Sequence, residues 1–268
     1  MTMGKVQSAD GTTICFDAWG EGQPLILVDG ATSHRAVSPL NAPVGQLLGD
    51  EFRVYGYDRR GRGDSGDTAP YAIQREIEDL AALIGDAGAP ALVCGFSSGA
   101  VLALDAAAAG LPISRLALFE PPFIVDNGRP PLPADYVERL DAAVADGRPG
   151  DAVGLFMTAA VGLPAEAVAG LRETPFWPAL EAVAPTIGYD GRFMGTTMSG
   201  APLPRDRWAT VHMPVLVMHG RGTEPWLITA AQAVAELLPT ASLQPVDGEQ
   251  HSVTAEVLAP ALRQFAHQ

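Results

Sequence analysis

The chain has 268 residues, 47% of them hydrophobic and 18% charged, enough apolar content for one large α/β domain with a substantial core and little room for disorder. Its 17 basic and 31 acidic residues leave a net charge of −14, which repels phosphate backbones and anionic headgroups and so argues against nucleic-acid and membrane partners. The same field weakly favours neutral over anionic small molecules.

In chain order, residues 12–19 read as a strand, and the continuous apolar run 24–28 reads as a buried parallel strand. The loop Asp29-Gly30-Ala31-Thr32-Ser33-His34 follows, then a modest helix over 39–48, a strand over 52–57 and an arginine-rich turn, Asp58-Arg59-Arg60-Gly61-Arg62-Gly63-Asp64-Ser65. Apolar positions 73, 77, 80, 81 and 84 form a helical stripe over 73–87. The run 90–94 is a strand, the residues from 100 to 109 favour a helix, and Gly95-Phe96-Ser97-Ser98-Gly99 lies between them. A strand over 113–119 ends at Glu120-Pro121-Pro122. From there to Trp208 no buried strand is evident; helical pieces over 134–145, 151–161, 165–171 and 178–183 are split by Pro and Gly. The α/β rhythm resumes with a strand over 215–218, a helix over 226–238, a strand over 241–246 and a helix over 254–266. Alternation of this kind predicts a mostly parallel sheet with helices on both faces. The helical insertion reads as a cap over the carboxyl edge of the sheet, where open α/β sheets hold ligands.

Strand, tight turn and helix around Gly-x-Ser-x-Gly is the context of a nucleophile elbow. The serine sits in a strained conformation that lifts its hydroxyl above the sheet, and the crowded turn leaves no space for a Cβ two residues to either side. Ser97 has glycine at both positions and Ser98 does not, so Ser97 is the candidate nucleophile. Cys15 and Cys94 fall in apolar strands and read as reduced core thiols. No Cys/His metal framework is present and no cofactor is implied. No signal-like or 18-residue apolar segment is evident, so a cytoplasmic protein, monomer or homodimer, is expected.

Four motifs in order resemble the α/β-hydrolase superfamily over nearly the whole chain: the loop at Asp29-Gly30-Ala31, the turn from Asp58 to Ser65, the elbow, and Gly248-Glu249-Gln250-His251 followed by Glu256 and Pro260. The resemblance implies an α/β-hydrolase fold with a sheet of about eight strands, a core of residues 1–121 and 209–268, and a helical cap, 122–208, inserted after the sixth strand. It implies His251 as the base that takes the Ser97 proton, and the N–H groups of Ala31 and Ser98 as an oxyanion hole. Asp29 stands where the family usually has histidine, and bracing of the loop is its expected role.

The acid is the open member. The family usually places an aspartate after the strand 215–218, where this chain has Thr223. Glu224 is one residue late and doubles as a solvated carboxylate at a helix start. Glu120 ends the strand after the elbow, a position from which some members of the haloalkane-dehalogenase branch take a glutamate; it is the preferred acid, Glu224 the alternative, and a Ser-His dyad the third option. His212, His219 and His267 read as ordinary structural or surface residues. His34 is balanced between substrate contact and loop packing. Phe123, Trp177, Met194 and Trp226 are expected in an apolar pocket under the cap, and Arg59, Arg60 and Arg62 are expected to brace their turn. The leading functional expectation is a cofactor-independent serine hydrolase of a small, mainly apolar ester or lactone. C–C bond hydrolysis or lyase/isomerase chemistry on the same fold, and a non-catalytic small-molecule binder, are the alternatives.

Overall fold

A computed structural model describes all 268 residues, Met1–Gln268. Its centre is one nine-stranded sheet in the order β1-β2-β4-β3-β5-β6-β7-β8-β9, with strands β1 Thr2–Gln7, β2 Thr13–Trp19, β3 Gln23–Val28, β4 Phe52–Tyr57, β5 Ala91–Phe96, β6 Ile113–Phe119, β7 Val215–Gly222, β8 Ala241–Glu249 and β9 Ser252–Val253. The strands from β4 to β8 pair in parallel; β1, β2 and β9 join antiparallel at the two margins. Strands β3 and β5, at the centre of the sheet, are apolar beyond Gln23 because both faces are covered. Along β3, Ile26 and Val28 enter a 36-residue core cluster with α2 (Ile73–Ala87), α3 (Ser98–Ala108) and α9 (Pro225–Leu237), whereas Leu25 and Leu27 enter a 23-residue cluster with α1 (Asn41–Leu48) and α10 (Ala255–Ala266). The period-2 alternation of a strand thus survives in which core each side chain joins, although both are apolar.

The sheet has nine strands rather than about eight. The additional short β9 returns directly after the β8 hairpin turn, and two residues leave no periodicity to read. The margin strand β1, also not anticipated, lacks an apolar run because its side chains are exposed or half-buried. Between β6 and β7 every element is helical: α4 Tyr136–Ala145, α5 Pro149–Leu155, α6 Ala165–Arg172, α7 Trp177–Val183 and α8 Ile187–Met194, with short 3₁₀ turns. The single helix expected over 151–161 is instead α5 followed by a π-helical turn, Phe156–Val161. Helix α8 contains Gly188 and Gly191, which obscured it in the sequence. A ten-residue cluster built on Tyr136, Leu140, Trp177 and Ile187 forms the inner core of this inserted segment. Both cysteines are buried and free. No helix is long and apolar enough to cross a membrane.

The arginine turn joins the inserted segment to the sheet. Arg59, Arg60 and Arg62 are each 1% exposed, and a buried guanidinium requires a partner. Arg60 turns toward Asp79 and Asp10. Arg59 binds Glu76 and, at 2.8 Å, Asp190 of α8; Arg62 takes the other Asp190 oxygen at 2.5 Å and donates to the Gly30 carbonyl at 2.6 Å. Burial opposes ionisation of Asp190, but Arg59 and Arg62 outweigh it and hold the carboxyl below its usual range. Asp190→Asn therefore leaves two buried cations undercompensated and should cost about 3–5 kcal/mol in urea unfolding at neutral pH. Because the folded-state value is depressed, the contribution is present above the unfolded carboxyl value and disappears as pH falls. The gap between wild type and variant should be constant near neutrality and shrink only below about pH 4.

Candidate active site

The sheet ends in a staircase that gathers the site residues. Phe96 of β5 pairs with Phe119 of β6, which pairs with Met218 of β7. The next residues continue the ladder: Ser97 N–H donates to the Phe119 carbonyl and Glu120 N–H to the Met218 carbonyl, each at 2.9 Å. Ser97 then turns at φ 54°, ψ −127°, a costly conformation for a residue with a side chain. The turn leaves no room beside it. A Cβ on Gly95 would lie 2.4 Å from the Gly99 carbonyl oxygen, and one on Gly99 would lie 2.2 Å from that of Val28. All five non-glycine residues with positive φ are Thr32, Ser97, Glu120, Gln250 and His251. Every one belongs to this end of the sheet, so backbone strain is concentrated around the site.

His251 lies in the turn between β8 and β9. Its Nδ1 is 2.6 Å from Oε2 of Glu120, which is fully buried. The other Glu120 oxygen, Oε1, accepts from the Gly220 N–H at 2.8 Å, and the Thr223 hydroxyl lies 3.2 Å from Oε2. Glu224 is exposed at the start of α9; it does not reach His251 and instead meets the Thr223 hydroxyl at 3.2 Å. Ser97 and His251 line the same cavity without a hydrogen bond between them. Such contacts are often long without substrate and tighten in the complex.

The loop after β3 approaches Ser97 closely: a Cβ on Gly30 would lie 2.9 Å from that of Ser97. Ala31 and Ser98 both line the cavity, and their backbone N–H groups donate to no protein acceptor. Asp29 turns its carboxylate to the Ser38 hydroxyl at 3.1 Å and the Asn41 amide at 2.9 Å. Burial pushes this carboxyl up, partly offset by those two donors, and the contacts pin the loop to the start of α1.

The cavity above Ser97 has a volume of about 960 Å³. Its walls are largely apolar, with Leu40 from the core side and Leu132, Phe156, Met157, Met194 and Met198 from the inserted segment. Of the aromatic and Met contacts expected from sequence, Met194 and Trp226 line it. His34, Phe123 and Trp177 do not, which corrects that part of the expectation. Phe123 follows Pro121-Pro122 into the main core and packs on Trp208 with ring centroids 5.4 Å apart. Trp177 opens α7 inside the insert's own core, its indole bonded to Glu181. His34 sits in its loop away from the lining, with Nδ1 buried. Three polar lining residues carried no sequence signal. Arg129 stacks 4.5 Å from the Trp226 ring centroid and donates to the carbonyls of Ala159 and Ala160 in the π-helical turn. Tyr136 and Asp190 also face this space from the inserted helices.

This arrangement has known counterparts. The sequence pattern of the alpha/beta hydrolase family matches residues 25–261. The chain belongs to the α/β-hydrolase family. An alpha/beta hydrolase from Sphaerobacter thermophilus DSM 20745 is 49% identical, covers 98% of this chain and 100% of its own, and superposes with a TM-score of 0.89. More distant structures share the fold. An enol-lactonase from Burkholderia xenovorans LB400 is 22% identical over 99% of this chain and 100% of that one, with a TM-score of 0.70. A thermophilic esterase from Thermogutta terrifontis is 22% identical over 100% and 98%, also with a TM-score of 0.70. No curated protein matches the chain. The family match and the 49% identical hydrolase together make this chain an α/β-fold hydrolase.

Proposed function

We propose that the protein is a cofactor-independent serine hydrolase of a mainly apolar ester or lactone. The observation that carries this reading is the 2.6 Å contact between His251 and the buried Glu120, one strand away from the strained Ser97 and opening on an apolar cavity. In the proposed cycle, Ser97 Oγ attacks the carbonyl carbon while His251 Nε2 takes its proton. Glu120 holds the Nδ1–H and stabilises the imidazolium. The Ala31 and Ser98 amides receive the oxyanion. His251 then protonates the leaving alcohol, and water, deprotonated by the same imidazole, releases the acid from the acyl-serine. The inserted helices serve as a cap whose lower face holds the apolar part of the substrate.

The test is a panel of p-nitrophenyl esters from acetate to decanoate, with fluorophosphonate labelling mapped to its peptide. Labelling should fall on Ser97. Each methylene buried in the cavity adds roughly 0.8 kcal/mol, so kcat/KM should rise several-fold per added methylene from acetate to a medium chain. Flat activity across the panel, or a preference for acyl groups bearing a charge, would count against the apolar pocket. An unlabelled Ser97 would sink the nucleophile.

A further inference from the structure

We propose that Thr223 is the positioning residue for Glu120, a role that rests on Glu120 acting as the partner of His251. The end of β7 lies next to the end of β6, and two of its groups hold the glutamate that β6 supplies. The Gly220 N–H fixes Oε1 at 2.8 Å, and the Thr223 hydroxyl lies 3.2 Å from Oε2, the oxygen that His251 Nδ1 uses at 2.6 Å. One donor alone would let the carboxylate pivot about Oε1. Two donors on the same neighbouring segment fix its plane and aim Oε2 at the imidazole.

The surroundings make that hydroxyl matter. Glu120 is fully buried and Thr223 is 7% exposed, so no bulk water replaces a lost donor. Hydrogen bonds to an ionised acceptor in such a place are roughly twice as strong as neutral ones. The hydroxyl has one proton and a second carboxylate within reach, Oε2 of Glu224 at 3.2 Å. Glu120 and Glu224 therefore compete for it, and Glu224 loosens the hold on Glu120 rather than replacing it. The threonine thus stands as a working part of the arrangement rather than a gap in it.

The experiment reads the hydrogen bond and the turnover separately. In the 1H NMR spectrum the proton shared by His251 Nδ1 and Glu120 should resonate far downfield in wild type. Thr223→Val, which keeps shape and removes the donor, should move this signal upfield and broaden it, and should lower kcat about tenfold with KM within twofold. The smaller Thr223→Ala should act in the same direction, which covers a valine variant that fails to fold. Thr223→Ser keeps the hydroxyl and should restore both readouts. Glu224→Gln should leave the signal at or downfield of its wild-type place. A wild-type signal and wild-type kcat in both Thr223→Val and Thr223→Ala overturn the proposal. An equal loss in Thr223→Ser also overturns it, because packing rather than the hydroxyl is then responsible. The NMR reading needs no substrate, so it decides the role of Thr223 even if no ester is turned over; that result, with the downfield signal intact, counts against the proposed function alone.

Discussion

Ser97→Ala should lower ester turnover by about 10⁴-fold or more and abolish fluorophosphonate labelling, while the protein folds as before. Thr32 and Ser98 also bring hydroxyls to the cavity, but only Ser97 has glycine two residues to either side. The change in stability should be small, within about 1 kcal/mol. Alanine keeps the same Cβ, the φ of 54° is held by the neighbouring strand bond to Phe119, and the lost hydroxyl makes no hydrogen bond to another protein group. Ser98→Ala is the control. Its backbone N–H is the group assigned to the oxyanion and survives the substitution, so most activity should remain. Full labelling of the Ser97→Ala variant, or equal losses in the two variants, would move the nucleophile elsewhere. Residual slow hydrolysis in Ser97→Ala is compatible with the assignment, since the oxyanion donors and the cavity are intact.

The parts of this architecture legible in the sequence are those decided by local physics. The runs Leu25–Val28 and Ala91–Cys94 announce strands buried on both faces, and the glycines flanking Ser97 announce a turn with no space for side chains. What the sequence withheld depends on long-range contact. Asp190 meets Arg59 across 131 positions, and nothing in helix α8, interrupted by two glycines, marks one aspartate as the link between the inserted segment and the turn. The aromatic residues between β6 and β7 identify an apolar segment but not which faces look inward; Phe123 and Trp177 serve cores, whereas Met194 faces the cavity. Strain away from the Gly-x-Ser-x-Gly frame is equally silent. Gln250 and His251 both adopt left-handed backbone conformations, a property with no sequence signature in residues other than glycine. Thr223 was visible only as a departure at the usual acid position. Its contact with Glu120 becomes apparent once β6 and β7 are known to be neighbours.

Glu120→Gln should leave the fold intact and lower kcat by about 10³–10⁴-fold. The reason is geometric as well as electrostatic. Oε1 of Glu120 receives the buried Gly220 N–H at 2.8 Å, and a glutamine must keep its one oxygen there or leave that donor unpaired, at a cost of about 1–3 kcal/mol. Its NH2 group then occupies the place of Oε2 and points a donor at His251 Nδ1. The imidazole answers by carrying its proton on Nε2, the nitrogen needed as the base toward Ser97. Turnover falls because the wrong tautomer is favoured and because an amide cannot stabilise the imidazolium. Glu224→Gln changes neither effect: Glu224 is exposed, touches the Thr223 hydroxyl and does not reach His251, so kcat should stay within about threefold of wild type. Steady-state kinetics on a medium-chain ester, with thermal melts to confirm folding, separates the cases. The reverse ranking transfers the acid role to Glu224. Wild-type turnover in both variants means that Ser97 and His251 work as a dyad, and the contact between His251 and Glu120 then serves only to hold the β8–β9 turn.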